Sequence, residues 1–446
     1  MDLKETGIVS ETPNPIDDLN HTEREPKEIK NVTKDIINND SQHSSKKYKK
    51  KISPLNLPVI NRIQTVFILL HSTSILWLCS LYFLLWCIPY AWPFMIYYTI
   101  FYYILDRSPV NGGVWYKRSE KFRNLDCWKF LTGYFPIKFH KMTTLKPTFE
   151  CQRTDNNNNN NNNILTLDNK RIGPSYIFGY HPHGIIATGV SSGFTNESTG
   201  WNHLFPGIKC FVTTLVNQFQ IPFYRDYLMA LGVTTVVKRN LKLLLNKGGS
   251  VVIVVGGARE SLMAKPGLNS IVLNKRKGFI KLALESLDKN GVCVVPVYGF
   301  GENDIYDVFF TDDLKSINET EGEFELQNSN HNTNIVVKNI INKIKKFIYK
   351  CQMLLKNKCG WTLPIVISRG IFNYDFGILP YRRSINVVFG KPIEIKRLNG
   401  LKLSDPIIQE EIDYWHEKYM NGLQEVWEWG HPKFSNPSDE ILKIVE

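Results

Sequence analysis

Between Arg62 and Asp106 the chain has no aspartate, glutamate, lysine or arginine. A stretch that long without charge excludes an ordinary water-facing surface. Val66 to Ile88 is apolar enough to cross a hydrocarbon core of roughly 30 Å, and at about 1.5 Å rise per residue it is long enough. Pro89 and Pro93 interrupt the run, and Phe94 to Leu105 is aromatic-rich but short for a full span. The stretch begins too far from Met1 for a secretory signal peptide. Residues 63–105 therefore read as a membrane hairpin, with one helix in, a Pro-Tyr-Ala-Trp-Pro turn and a second segment back out. The alternative is a single span with a re-entrant second segment.

Paired cysteines are also missing. The eight cysteines are scattered, with Cys79 and Cys87 inside the hairpin, and no CxxC occurs. That pattern suggests neither a zinc site nor a disulfide framework, and fits reduced cytosolic thiols. No G-x-G-x-x-G fingerprint, P-loop or G-x-S-x-G elbow appears, so neither a dinucleotide fold nor a serine acyl-enzyme is indicated. Nor is there a nucleic-acid-binding motif to use the net charge of +12. Beside a membrane anchor, that charge points to lipid headgroups and a phosphate-bearing cosubstrate.

Residues 1–57 have few large apolar side chains and read as disordered. Lys46 to Lys51 is almost wholly basic, which under the positive-inside rule keeps the N-terminus cytosolic. A hairpin then returns residues 106–446 to the cytosol. The tract Asn156 to Asn163 is low complexity and reads as a loop extension. Ile335 to Leu355 has apolar residues at i, i+3, i+4 with lysines between them. It fits a basic amphipathic helix on a bilayer surface, or equally a helix packed on the domain.

What is present is a set of apolar runs that end in glycine-rich polar clusters. Tyr176-Ile177-Phe178-Gly179-Tyr180 runs into His181-Pro182-His183-Gly184. Histidines two apart on a strand end share a face. Ser250 to Val255 ends in Gly256-Gly257-Ala258-Arg259-Glu260-Ser261. Val292 to Val297 ends in Gly299-Phe300-Gly301-Glu302-Asn303-Asp304, and Ile385 to Phe389 in Gly390-Lys391-Pro392. Lys275 to Lys289 is patterned as an amphipathic helix. Strands alternating with helices predict an α/β fold on a largely parallel sheet, with the clusters gathered at strand carboxyl ends, where such sheets place their chemistry.

The histidine pair admits a structural turn, a metal pair, a phosphate-binding turn or general-base catalysis. A metal site needs further ligands, and no third and fourth partner is in view. Neutral imidazole suits proton removal from a hydroxyl, and this reading is carried forward. Glu260 is the candidate to orient a histidine and Arg259 to meet phosphate, against the plainer reading of a tight turn with a solvated charge pair.

The chain resembles the type-2 diacylglycerol acyltransferases, a family that also holds monoacylglycerol and wax-alcohol acyltransferases. The resemblance runs from about Ile63 to Phe434. It is carried by Tyr134-Phe135-Pro136, His181-Pro182-His183-Gly184, Gly256 to Ser261, Arg276-Lys277-Gly278-Phe279, Val295-Pro296-Val297 with Phe300-Gly301-Glu302-Asn303, Gly390-Lys391-Pro392-Ile393, and Trp415-His416-Tyr419. The wider glycerolipid acyltransferases use His-x4-Asp, but Ile186 and Thr188 stand five residues after His181 and His183. The segment from about 318 to 358 fits the family poorly and reads as an insertion.

The resemblance implies a glycerolipid-acyltransferase-like mixed sheet with flanking helices behind the hairpin. It implies acyl transfer from acyl-coenzyme A, a cosubstrate with no further cofactor or metal, to diacylglycerol. Monoacylglycerol, a fatty alcohol or retinol are alternative acceptors. A non-catalytic lipid-binding or lipid-droplet protein is the competing class. His183 is expected as base, His181 as its support and Glu260 as acidic partner. Gly184, Gly256 and Gly257 are expected to offer main-chain N–H groups. Arg239, Arg259 and Lys277 are expected to meet coenzyme A phosphates, with Glu302 and Asn303 in the substrate site. The implied setting is the endoplasmic reticulum membrane or a lipid-droplet surface, with both termini cytosolic. Self-association is left open.

Overall fold

The computed structural model describes residues 57–153, 165–261, 263–308, 366–374, 377–398, 400–437 and 439–445. The expectations for the polar N-terminus, the Asn tract and the 318–358 segment with its amphipathic helix lie outside these residues.

One eight-stranded sheet organises the chain. Its strands are β1 (Ile137–Lys141), β2 (Ser175–His181), β3 (Cys210–Thr214), β4 (Val233–Thr235), β5 (Ser250–Val254), β6 (Val292–Phe300), β7 (Ile385–Phe389) and β8 (Ile393–Ile395). The order is β1-β7-β6-β2-β5-β3-β4, with β8 also on β6. The central strands β6, β2, β5, β3 and β4 run parallel. Every residue of β2 and β6 is buried, which explains their unbroken apolar runs: a parallel strand covered on both faces has no polar side to show.

Direction decides which glycine clusters meet. The carboxyl ends of β6, β2 and β5 are neighbours, so Gly301-Glu302, His181 to Gly184 and Gly256-Gly257 converge. In contrast, β7 runs antiparallel to β6, with Asn386 opposite Phe300 and Phe389 opposite Val297. Gly390-Lys391-Pro392 therefore lies toward the other end of the sheet. That cluster does not join the site.

The apolar run is built differently from the expected single helix. It forms α1 (Val59–Ser72) and α2 (Ser74–Trp86), bent by 65° at their junction. Ser72 and Thr73 hydroxyls both donate back to the Leu69 carbonyl, at 3.3 and 2.6 Å, and pull the last turn out of line. Among the described residues no single helix is long and apolar enough to cross a membrane, though this bent pair together is. α1 packs on the helix Trp128–Tyr134, with Phe67 edge-on to Trp128 at 5.7 Å. After Pro89–Ala91 the chain returns through Trp92–Tyr97 and a π-helical stretch, Tyr98–Ile104. The return arm lies against α2, with the Tyr82 and Thr99 hydroxyls 2.9 Å apart. Val59, Leu76, Phe83, Tyr90 and Phe94 are among many large apolar residues left exposed here.

Candidate active site

His181 closes β2 and is fully buried. Its Nε2 lies 3.1 Å from the Tyr419 hydroxyl, which donates its proton to the Gly179 carbonyl at 3.0 Å. A phenol has one proton to give, so its oxygen accepts from His181, and the ring is the Nε2–H tautomer. The lone pair is then on Nδ1, which has no hydrogen-bond partner among the described residues. Burial, with His416 nearby, pushes the His181 pKa down to about 3, so the ring stays neutral.

His183 is only partly buried and takes the opposite tautomer. Its Nδ1 is 3.0 Å from the Gly184 carbonyl oxygen, which can only accept. The proton is on Nδ1 and the basic lone pair on Nε2. Surrounding protein lowers its pKa below the ordinary imidazole value, against the pull of that hydrogen bond. Gly184 is needed for this turn: its φ is +56°, and an added Cβ would sit 2.8 Å from Glu302 Cγ.

Glu260 lies in α5 (Gly257–Ser261), which follows α3 (Thr188–Gly193) and α4 (Lys238–Asn246) along the chain. Its carboxyl packs against Gly256, where any Cβ would collide with it. Both oxygens are buried and, among the described residues, find no side-chain hydrogen-bond partner. Burial pushes its pKa up to about 8, opposed by the His183 main-chain amide and Arg276, so the group is held as the neutral acid at pH 7. The expected bond from Glu260 to an imidazole is absent, and its link to the histidine motif runs through the His183 main chain.

Glu302 is engaged internally. One oxygen accepts from the Thr188 N–H at 2.5 Å, the other from the Gly189 N–H at 2.8 Å and the Tyr180 hydroxyl at 2.7 Å. The carboxyl thus closes the N-terminus of α3, the helix that follows the histidine turn. Burial still raises its pKa to about 7 despite these three donors. Asn303 donates to the Leu268 carbonyl at 2.7 Å, while its side-chain oxygen is buried and unbonded. Both residues stand at the site as its framework rather than as open contacts.

The three expected phosphate contacts are spread out. Arg239 is exposed in the first turn of α4, past the edge strand β4. Arg259 is exposed on α5, next to Glu260. Lys277 caps α6 (Gly278–Glu285) and is 2.6 Å from the Asp413 carboxylate.

Two features of the site were not read in the sequence. Tyr419, on α7 (Gln409–Phe434), was read only as part of a family motif, and it sets the His181 tautomer from 238 positions away. Exposed apolar residues also follow three carboxyl ends of the parallel strands, with β5 between the first two: Ile186 after β2, Leu215 and Val216 after β3, and Val236 after β4. They form an apolar lip on the side of the sheet that carries the histidines.

A family model described as diacylglycerol acyltransferase matches residues 164–323 and 329–445. The diacylglycerol O-acyltransferase 1 of Eremothecium gossypii is 37% identical over 413 residues, covering 89% of this chain and 81% of its own. That of Saccharomyces cerevisiae is 37% identical over 411 residues, 88% of each chain. The 2-acylglycerol O-acyltransferase 1 of Bos taurus is 31% identical over 401 residues, 88% of this chain and 99% of its own.

Proposed function

The chain belongs to the diacylglycerol acyltransferase family, and from that premise we propose that His183 is the general base of acyl transfer from acyl-coenzyme A to diacylglycerol, yielding triacylglycerol. The observation that carries this reading is the His183 tautomer. With Nδ1–H committed to the Gly184 carbonyl, Nε2 is left as a neutral acceptor where three strand ends converge.

In this reading Nε2 takes the proton of the acceptor hydroxyl as its oxygen attacks the thioester carbonyl. The tetrahedral intermediate collapses, the carbon–sulfur bond breaks, and the imidazolium returns its proton to the departing coenzyme A thiolate. Main-chain N–H groups of Gly184 and Gly256-Gly257 are the candidate donors to the developing oxyanion. The N-terminus of α3 is not, because Glu302 already fills it. His181 supports the turn from below. Arg259 is the candidate nearest the site for a coenzyme A phosphate. The lip of Ile186, Leu215, Val216 and Val236 supports a lipid acceptor, since a water-soluble one needs no apolar approach. The exposed apolar residues of 59–105 support seating on the endoplasmic reticulum membrane or a droplet surface, with both flanks cytosolic.

The test is acyl transfer by the full chain in membranes, using labelled oleoyl-coenzyme A and separate diacylglycerol, monoacylglycerol and fatty-alcohol acceptors. Wild type should favour diacylglycerol. His183→Ala should lose at least about 10²-fold in turnover, the lower end for a general base. Full activity in well-expressed, membrane-inserted His183→Ala protein would overturn the assignment.

A further inference from the structure

A cavity of about 350 Å³ opens beside the start of α1. Its walls include four arginines, Arg62, Arg369, Arg382 and Arg383, with Tyr374 and Tyr381, and no aspartate or glutamate among the described residues. It belongs to the sheet end that carries the histidines but lies beyond them. Arg382 and Arg383 immediately precede β7, whose start pairs with the end of β6, and the Tyr381 N–H donates to the Ile305 carbonyl at 2.8 Å.

The Arg369 and Arg382 guanidinium groups are held in place by neutral partners. Arg382 donates to the Gln64 side-chain oxygen and, at 3.4 Å, to the Asn61 carbonyl, both on α1. It also lies 4.4 Å over the Tyr134 ring, and Arg369 lies 5.9 Å from that same ring. Arg369 is buried and donates to the Gly370 carbonyl at 3.3 Å. Among the described residues Arg369, Arg382 and Arg383 form no ion pair. Two cations held against one aromatic ring, with no ion pair among the described residues, repel each other, and an anion bound beside them relieves the repulsion. Burial and Arg369 together hold the Arg382 pKa below its ordinary value. Planar guanidiniums are also the side chains best matched to the two oxygens a phosphate presents.

The rim indicates where that phosphate comes from. Phe372 and Ile378, on the same loop as Arg369, are 66% and 69% exposed, and Arg62 sits 5.9 Å from the Phe372 ring. On the other side stands α1, which lines the cavity with Asn61, Arg62 and Thr65, while its exposed Ile60 and Ile63 lie on the opposite helix face. A cationic well with Phe372 and Ile378 at its edge suits a ligand with a hydrocarbon part and a phosphate head. We propose that this cavity binds the phosphate of an anionic lipid headgroup at the membrane surface. Coenzyme A carries the same phosphate chemistry, so the test separates the two sources.

The detergent-solubilised full chain is titrated with dioctanoyl phosphatidic acid, with coenzyme A and with 3′-dephospho-coenzyme A. Arg382→Gln and the exposed Arg383→Gln, whose folding is checked by thermal melting, are each expected to weaken phosphatidic acid binding about tenfold or more. Coenzyme A binding should be unchanged. Weaker binding of coenzyme A but not of its dephospho form would keep the phosphate site and assign it to the cosubstrate. Unchanged binding of all three probes to folded Arg382→Gln and Arg383→Gln would overturn the proposal. The site does not depend on the base assignment: His183→Ala should bind phosphatidic acid as wild type does, so the two readings fail separately.

Discussion

A buried carboxyl with no side-chain partner among the described residues makes Glu260 a pH-sensitive residue whatever its part in the chemistry. Its pKa of about 8 stands above the ordinary 4.5, so between those values the folded chain holds a proton that the unfolded chain releases. Stability from this group is complete below about 4.5 and is lost as pH rises through about 8. Glu260→Gln keeps the shape of the neutral acid and cannot ionise. Melting curves from pH 5 to 9 should show wild type losing stability on the alkaline side and Glu260→Gln losing less, with the two alike at pH 5. Parallel pH profiles would mean that the carboxyl finds a partner. The histidine pair and the acid were legible as residue types at a strand end. Their tautomers were not, because a phenol far along the chain and a neighbouring carbonyl set them, and neither contact leaves a trace in local spacing.

At the scale of elements, Glu302 ties three pieces together: the end of β6, the Tyr180 hydroxyl of β2 and the first N–H groups of α3. Glu302→Gln replaces one acceptor with an N–H₂ group that must face a main-chain N–H. The expected cost is about 1–3 kcal/mol of stability. The turn between β2 and α3 carries His183, so kcat should fall while KM for acyl-coenzyme A changes little. A KM rise with kcat intact would return Glu302 to the substrate contacts expected of it. The convergence of β2, β5 and β6 was readable because a buried parallel strand writes an uninterrupted apolar run and a glycine cluster marks its exit. The exclusion of Gly390-Lys391-Pro392 was not, since such a run carries no sign of strand direction. The bend between α1 and α2 had a local signal, Ser72-Thr73-Ser74, outweighed by the absence of charge around it. The arginine cavity had none: its walls come from residues 62 and 369–383, brought together only by the fold.

Over the whole molecule, α1 is anchored to the catalytic body through Trp128, Tyr227 and Arg382. The exposed apolar residues on both arms of 59–105 should then enter the membrane from the cytosolic face, with both chain ends left on that side. Protease added to intact microsomes should remove tags from either terminus. A C-terminal tag protected until detergent is added would reverse this topology. The bend at Ser72–Ser74 bears on which surfaces such a protein can occupy. At 14 and 13 residues, α1 and α2 are each about 20 Å long, short of a hydrocarbon core of roughly 30 Å. A straight span has a second polar end that must reach water on the far side. Around a droplet there is no far side, only oil beneath one layer of phospholipid, and such an end would be stranded in it. On the seating proposed above, a kinked wedge with no far end would meet no such penalty and would pass from bilayer to monolayer without turning a charge into oil. An enzyme so seated, depositing triacylglycerol under its own feet, would stay afloat on its product as it accumulates.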